Sequence, residues 1–488
     1  MNRRFIGYIL GWICIFQSVF LVIPYMVSLF YKEESGAACL ISSGICLIVG
    51  GLLTFKKPKE RFFYAKDGFA CVALGWIVLS LTGALPFIIS GEIPDVFDAL
   101  FETISGYTTT GATILSDVEA LSNCMLFWRS FTHWIGGMGI LVFVLCIIPL
   151  AGGNNMHLMR AESPGPSVDK LVPRVRRTAL ILYGIYTFLT ILQIVLMLFG
   201  GMDAFESITI SLGTAGTGGY AVRNSSIAEY SVYIQNVVAV FMVLFGVNFT
   251  VYFMILVRKP KMIFKNEEVR TYLAIILVAT LLIGINVRGS FSSFGHSIQQ
   301  AFFQVASIIT TTGFATTDFN LWPTFSKCIL VLLMFIGACA SSTGGGIKVS
   351  RILIAFKNVK NGISSFIHPK SVHVIRVDGK KVEKGVAHSV SMYLILYLFI
   401  FIGSVLLIAI ENFSFETSFT SVATTLNNVG PGLDGVGPTA NFGGFSAFSK
   451  CVFMFDMLAG RLELIPMMIL FSPLVWKRKN RKWAVKKK

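Results

Sequence analysis

The chain has 488 residues, 54% of them apolar, a mean hydropathy of +0.72 and a formal net charge of +16. That hydropathy excludes an ordinary soluble core and fits a chain that crosses a membrane many times. The positive balance falls in short loops between apolar runs, so it reads as membrane topology and not as a nucleic-acid surface. The nine cysteines form no CxxC pair, and no HExxH, Walker A or complete GxGxxG motif occurs, which argues against a disulfide framework, a zinc site and the common nucleotide-dependent enzymes.

About 20 apolar residues at 1.5 Å each cross a hydrocarbon layer. Segments 5–31 and 37–55 meet that length and form an N-terminal pair, within residues 1–66, with no special loop between them. The first run is too long for a signal-peptide core and is expected to be retained. Four similar units follow, at 67–177, 178–270, 271–387 and 388–488. Each has a span (68–90, 179–199, 272–287, 389–410), a helix too short to cross (96–107, 203–212, 296–309, 415–426) and a glycine-centred loop. A second apolar segment closes each unit (124–150, 232–257, 325–356, 445–476). The expected fold is an all-α polytopic membrane protein with about ten spans and four half-crossing helices, four repeats around a pseudo-fourfold axis plus the N-terminal pair. The strings Ser122-Asn123-Cys124, Ser326-Lys327-Cys328 and Ser449-Lys450-Cys451 open the closing segment of three units, as a repeat requires.

The loops carry the chemistry. Loop one is Thr109-Thr110-Gly111, loop two Thr217-Gly218-Gly219, loop three Thr311-Thr312-Gly313 and loop four Asn428-Val429-Gly430. A cation leaving water needs oxygens in place of its hydration shell, and a ring of backbone carbonyls supplies them. Aiming successive carbonyls one way requires left-handed dihedrals, which glycine adopts without a Cβ penalty. One such loop would be an ordinary turn; four in corresponding settings point to an ion selectivity filter. Loop two has extra glycines, Gly213 and Gly216 among them, so more than one register fits it. Asp117, Asp318 and Asp434 follow three of the loops closely and are either cation-concentrating groups at an outer mouth or solvated loop acids.

Two features lie deeper. The third closing segment is broken by Ser341-Ser342-Thr343-Gly344-Gly345-Gly346-Ile347-Lys348. Irregular backbone at membrane depth is tolerated only inside protein or beside water. Gly344, Gly345, Gly346 and Lys348 therefore form a gate loop, or else the helix simply ends there. Arg461 stands within 445–476, where a buried arginine is costly. It is either a positive barrier below the filter or a structural partner of Asp456 or Glu463. Farther on, Asp378-Gly379 marks a hairpin turn in a hydrophilic stretch, a docking surface or a plain loop. Of the 41 Lys and Arg, 34 fall in the two termini and the four long loops. That places both termini in the cytoplasm and the filter loops outside.

The sequence resembles the Trk/Ktr/HKT superfamily of potassium translocators, most closely the TrkH-type membrane subunit, through several motifs. They are Thr110–Thr113, Trp134–Gly139, Gly218–Tyr220, Gly246–Phe249, Thr312–Phe314, Gly344–Lys348, Asn427–Gly432 and Gly460–Glu463. The resemblance covers the whole chain, including the N-terminal pair that the shorter KtrB type lacks. It implies potassium uptake across the cytoplasmic (inner) membrane, with K+ held at the filter residues and no cofactor in the chain itself. It also implies a homodimer in the lipid bilayer, a TrkA-like cytosolic nucleotide-binding ring as gating partner, and no nucleic-acid partner. In this superfamily a serine at the first filter position goes with sodium permeation, so Gly111 favours potassium. The rival function is a proton- or sodium-coupled symporter, which would need intramembrane carboxylates. Glu102, Glu206 and Glu416 are the candidates, and their positions suggest that they orient helices instead. A membrane enzyme would need a catalytic set that the sequence does not offer.

Overall fold

The computed structural model of the chain describes residues 3–56, 58, 65–139, 175–257, 265–370 and 374–476, nearly all of them in helices or the loops between helices. Among these residues, six helices are long and apolar enough to cross a membrane: Arg3–Tyr31, Gly36–Thr54, Asp67–Ser90, Ala179–Phe199, Glu267–Asn286 and Gly385–Ala409. Helices Val232–Gly246 and Phe249–Leu256 make a seventh if taken together, although they meet at 89°.

The difference from ten continuous spans lies in the segments that follow the glycine loops, three of which are interrupted among the described residues. Helix Asn123–Met138 ends at Gly139 (φ +79°), and the rest of the expected span 124–150 lies outside the described residues. The second turns sharply at Val247-Asn248, where the Asn248 side chain accepts a hydrogen bond from Thr250 N and starts a new helix. The third, Thr324–Ile336, stops at Gly337 and resumes as Val349–Ile367. The fourth was expected to run unbroken over 445–476. Helix Ala447–Arg461 instead ends, Glu463 and Leu464 take positive φ, and Ile465–Phe471 restarts with Pro466, which cannot donate to a preceding turn. Arg461 is thus the terminus of a helix beside a break.

Four short helices sit inside: Val96–Tyr107, Ala204–Gly216, Phe294–Ile309 and Phe415–Asn427. Each begins with a side-chain cap, from Asp95, Asp203, Ser293 and Ser414, accepting from backbone N–H groups at 3.0, 2.8, 3.2 and 3.0 Å. The caps satisfy the free N-terminal donors and fix where each helix starts. The C-terminal halves are buried and deliver the chain to the glycine loops.

Spans such as Gly385–Ala409 are apolar all round, with Phe399 and Leu406 exposed, as a lipid-facing helix should be. The N-terminal pair packs on the first unit. Gln17 Nε2 donates to the Tyr107 hydroxyl at 2.7 Å, and Glu33 accepts from the N–H groups of Asn123 and Cys124 at 2.8 and 2.9 Å. The expected hairpin forms: Arg376 pairs with Lys381 and Val377 with Lys380 around Asp378 (φ +53°) and Gly379 (φ +73°). Much of the basic material on which the expected orientation rests lies outside the described residues, including Arg160, Lys170, Arg174 and everything after Trp476.

Candidate functional site

The four glycine loops meet. Gly111, Gly219, Gly313 and Gly430 all have positive φ, at 80°, 78°, 90° and 96°. Two residues earlier, Thr109, Thr217, Thr311 and Asn428 are also left-handed, at 56°, 57°, 59° and 56°. The four backbones therefore alternate in the same way, and loop two adopts it in the register Thr217-Gly218-Gly219.

The contacts between loops close a cycle. A Cβ on Gly111 would strike the carbonyl oxygen of Gly218, one on Gly219 that of Thr312, one on Gly313 that of Val429, and one on Gly430 that of Thr110, all under 3.0 Å. Each glycine thus abuts the carbonyl that precedes the corresponding glycine of the next loop, and the fourth returns to the first. No side chain fits at these positions. Among the segments that follow the glycines, hydrogen bonds make a second cycle. Val118 N donates to Asn224 Oδ1 at 2.8 Å, Ile227 N to Ala315 O at 3.0 Å, Asp434 N to Asn320 Oδ1 at 2.9 Å, and Phe442 N to Thr113 O at 2.8 Å.

Around this ring the polar side chains are buried and mostly paired. Thr108 and Thr110 share a hydroxyl contact at 2.8 Å, as Thr310 and Thr312 do at 2.7 Å. Asn428 Nδ2 donates to Thr110 Oγ1 and to Met457 O, both at 2.9 Å. Thr109 Oγ1 and Asn428 Oδ1 are buried without a hydrogen-bond partner among the described residues. Behind loop one, Glu102 and Arg129 form an ion pair at 2.7 Å, almost wholly buried, and the guanidinium lies 4.0 Å from the Tyr220 ring centre. The Tyr220 hydroxyl donates to Glu102 O at 2.8 Å. His133 Nδ1 lies 2.6 Å from Gly106 O, and Nε2 lies 3.3 Å from Tyr220 N. Since a carbonyl can only accept and an N–H only donate, the proton is on Nδ1. His133 and Arg129 gave no motif of their own in the sequence, whereas Tyr220 closes the Gly218–Tyr220 motif.

The glycine-rich break lies directly against this ring. Gly345 N donates to Thr311 Oγ1 at 2.6 Å and Gly346 N to Asn427 O at 3.0 Å. Lys348, buried, donates to Gly344 O. Arg461 donates to Thr343 O at 2.6 Å and to the carbonyls of Gly136 and Gly137 at 2.6 and 2.8 Å. It therefore bridges the break and the end of helix Asn123–Met138. The carboxylates proposed as its alternative partners are engaged elsewhere, Asp456 with Ser404 and Glu463 with Arg351. Residues Gly344–Gly346, Lys348 and Arg461 line one cavity together with Trp76, Gly137 and Gly460.

The three acids expected at an outer mouth organise loops. Asp117 accepts from Asn224 Nδ2 at 2.7 Å, Asp318 from Asn320 N at 3.0 Å, and Asp434 from Ser414 and Thr417. Hydrogen bonds from Ser414 and Thr417 hold the Asp434 carboxyl below the usual carboxylate range. The other candidate carboxylates have cationic partners: Glu206 pairs with Arg223 at 2.9 Å and Glu416 with Lys327 at 3.5 Å.

Residues 35–480 match the TrkH family model, described as a cation transport protein. The chain is 37% identical, over 98% of its length and the whole of the relative, to the Trk system potassium uptake protein TrkH of Escherichia coli (strain K12). It is 35% identical to the Trk system potassium uptake protein TrkG of the same strain, covering 97% of this chain and 99% of that one. The crystal structure of the potassium transporter TrkH from Vibrio parahaemolyticus superposes with a TM-score of 0.88 at 33% identity, covering 98% of this chain and 100% of that chain.

Proposed function

The chain belongs to the TrkH family of cation transport proteins, and from that premise we propose that it carries potassium inward across the cytoplasmic membrane through one pore formed by four repeats. The observation that carries this reading is the closed cycle in which each loop's glycine abuts the next loop's carbonyl. Four strands with matched left-handed residues supply carbonyl oxygens at equal depth around one axis, the arrangement that replaces a hydration shell. Thr109, Thr110 and Gly111, Thr217, Gly218 and Gly219, Thr311, Thr312 and Gly313, and Asn428, Val429 and Gly430 are the filter, and K+ is its cargo. The short helices end at these loops, and their partially negative C-termini favour a cation there.

Below the filter, Gly344–Gly346 and Lys348 form the gate, and Arg461 is a positive barrier beside it. A TrkA-like cytosolic nucleotide-binding ring acts on this gate, and the chain works as a homodimer with both termini in the cytoplasm. Asp117, Asp318 and Asp434 add negative potential at the outer mouth. Coupled symport finds less support, because Glu102, Glu206 and Glu416 each hold an ion pair. The test is uptake by the purified chain in phospholipid vesicles, with potassium, rubidium, sodium and lithium, with and without the nucleotide-binding ring. Potassium and rubidium should pass well ahead of sodium and lithium, without proton movement. Equal passage of all four, or stoichiometric proton uptake, would overturn the reading.

A further inference from the structure

The start of helix Glu267–Asn286 touches three things at once. On its cytoplasmic side, the exposed hairpin residue Asp378 accepts from Glu267 N at 2.6 Å and from Asn266 Nδ2 at 3.2 Å. Lys357, on the helix that leaves the glycine-rich break, pairs with the Glu267 carboxylate and also donates to Arg376 O of the hairpin at 2.7 Å. One residue on, Glu268 points inward and is buried. Its Oε1 accepts from Ala340 N, at the entry to the break, at 2.6 Å, and its Oε2 from Asn248 Nδ2 at 3.3 Å. Asn248 stands at the 89° bend, where Phe249 N donates to Ser341 O at 3.0 Å and Gly246 O accepts from Cys339 N at 3.1 Å.

We propose that Asn266, Glu267 and Glu268 are the mechanical link between the cytoplasmic hairpin and the glycine-rich break, with Glu268 the residue that positions the break. This rests on the reading of that break as the gate and names how a cytosolic force reaches it. The hairpin has only two residues per strand, too few to be stable alone. Its position therefore depends on the clasp at Asp378 and Lys357. Adjacent residues on one helical turn move together, so a pull on Asp378 tilts the turn that carries Glu268. A carboxylate accepting a backbone N–H is among the stronger hydrogen bonds, and burial shields it from competing water. Ala340 must follow.

The test uses the full chain in phospholipid vesicles. Hydrogen–deuterium exchange is followed in segments 337–348 and 374–382, alongside rubidium uptake. Asp378→Ala with Lys357→Ala removes both halves of the clasp at sites remote from the ring, and Asp378→Ala alone removes the half that holds the backbone of the turn. Exchange in 337–348 should rise by about an order of magnitude, and Asp378→Asn, which keeps one acceptor oxygen, should recover part of it. Lys381→Ala, on the same hairpin, should leave 337–348 unchanged. If the double variant loosens 374–382 but not 337–348, or loosens neither, the link is wrong. If 337–348 loosens while rubidium uptake is unaltered, the link stands and the gate assignment falls.

Discussion

A threonine with positive φ is an unusual residue, because its branched Cβ crowds the backbone in the left-handed region. Thr109, Thr217 and Thr311 all adopt it, at a cost of about 1–2 kcal/mol each. Such strain persists only where the surroundings over-determine it. Here the neighbours do so, through the Gly345 N–H on Thr311 and the abutting carbonyls at each glycine. Gly313→Ser should force the ring open against Val429 O and weaken potassium-over-sodium discrimination by about tenfold, the ratio for about 1.4 kcal/mol. Competition of sodium against rubidium uptake measures it, and wild-type preference in the variant would contradict the register. Arg461→Ala removes a half-buried charge that holds Thr343, Gly136 and Gly137 carbonyls. Rubidium uptake should rise severalfold; unchanged or lower uptake at normal expression counts against a barrier. For Asp434, the depressed carboxyl pKa means that its ionised form is favoured by the fold. Its stabilising contribution is present above the ordinary carboxylate pKa and is lost as pH falls through the lower, folded value. Order in loop 431–437, followed by hydrogen exchange, should hold from pH 7 to 5 and decline only below about pH 4. Asp434→Asn should loosen the loop at neutral pH as well.

Elements show where local pattern was legible and where it was not. The short helices could be read from their length, too short to cross, and the structure caps three of them with Asp95, Asp203 and Ser414. The breaks in the closing segments were clearest in the third, where three glycines and a lysine interrupt apolar sequence. At Val247-Asn248 the residues alone are compatible with a continuing helix, and Ser341 O on Phe249 N fixes the bend; at Leu462–Leu464 the local signal is Pro466, which cannot bond back to Leu462, and Arg461 on distant carbonyls holds the break. The Glu102–Arg129 pair is of the same kind. Each residue was visible, but their meeting depends on helices Val96–Tyr107 and Asn123–Met138 lying side by side. Removing one member of a buried pair strands the other, at about 3–5 kcal/mol. Arg129→Ala should therefore lower the unfolding midpoint of the detergent-solubilised protein clearly, whereas replacing both residues with apolar ones should cost less. A single variant with wild-type stability would show that Glu102 finds another partner.

At the scale of the whole molecule, two cycles of contacts, one at the glycines and one among the loops that follow them, hold the ring, and the glycine-rich break leans on it from the other side. Although one side of that segment lines a cavity, its glycines are closely fitted against their neighbours. A Cβ on Gly345 would strike Asn427 O, one on Gly344 would meet Ala338 Cβ at 2.7 Å and Thr310 O at 2.8 Å, and Gly346 has φ +75° beside Gly337. Alanine at all three positions cannot keep the observed position, so the loop must leave the underside of the ring. The ring is held by its own cycles and should survive the change. The expected outcome is uptake that is higher than in the parent protein and indifferent to the nucleotide-binding ring, with potassium-over-sodium preference kept. Rubidium uptake with and without that ring, plus sodium competition, separates the possibilities. Normal ring-dependent regulation would mean that the segment is not the gate, and loss of ion preference would mean that the ring of glycines relies on the segment for support. An overpacked interior loses about 1–3 kcal/mol, so the unfolding midpoint of the variant must also be recorded. A midpoint close to that of the parent, together with unregulated and selective uptake, is the result that assigns gating to the loop and selectivity to the ring as separable parts.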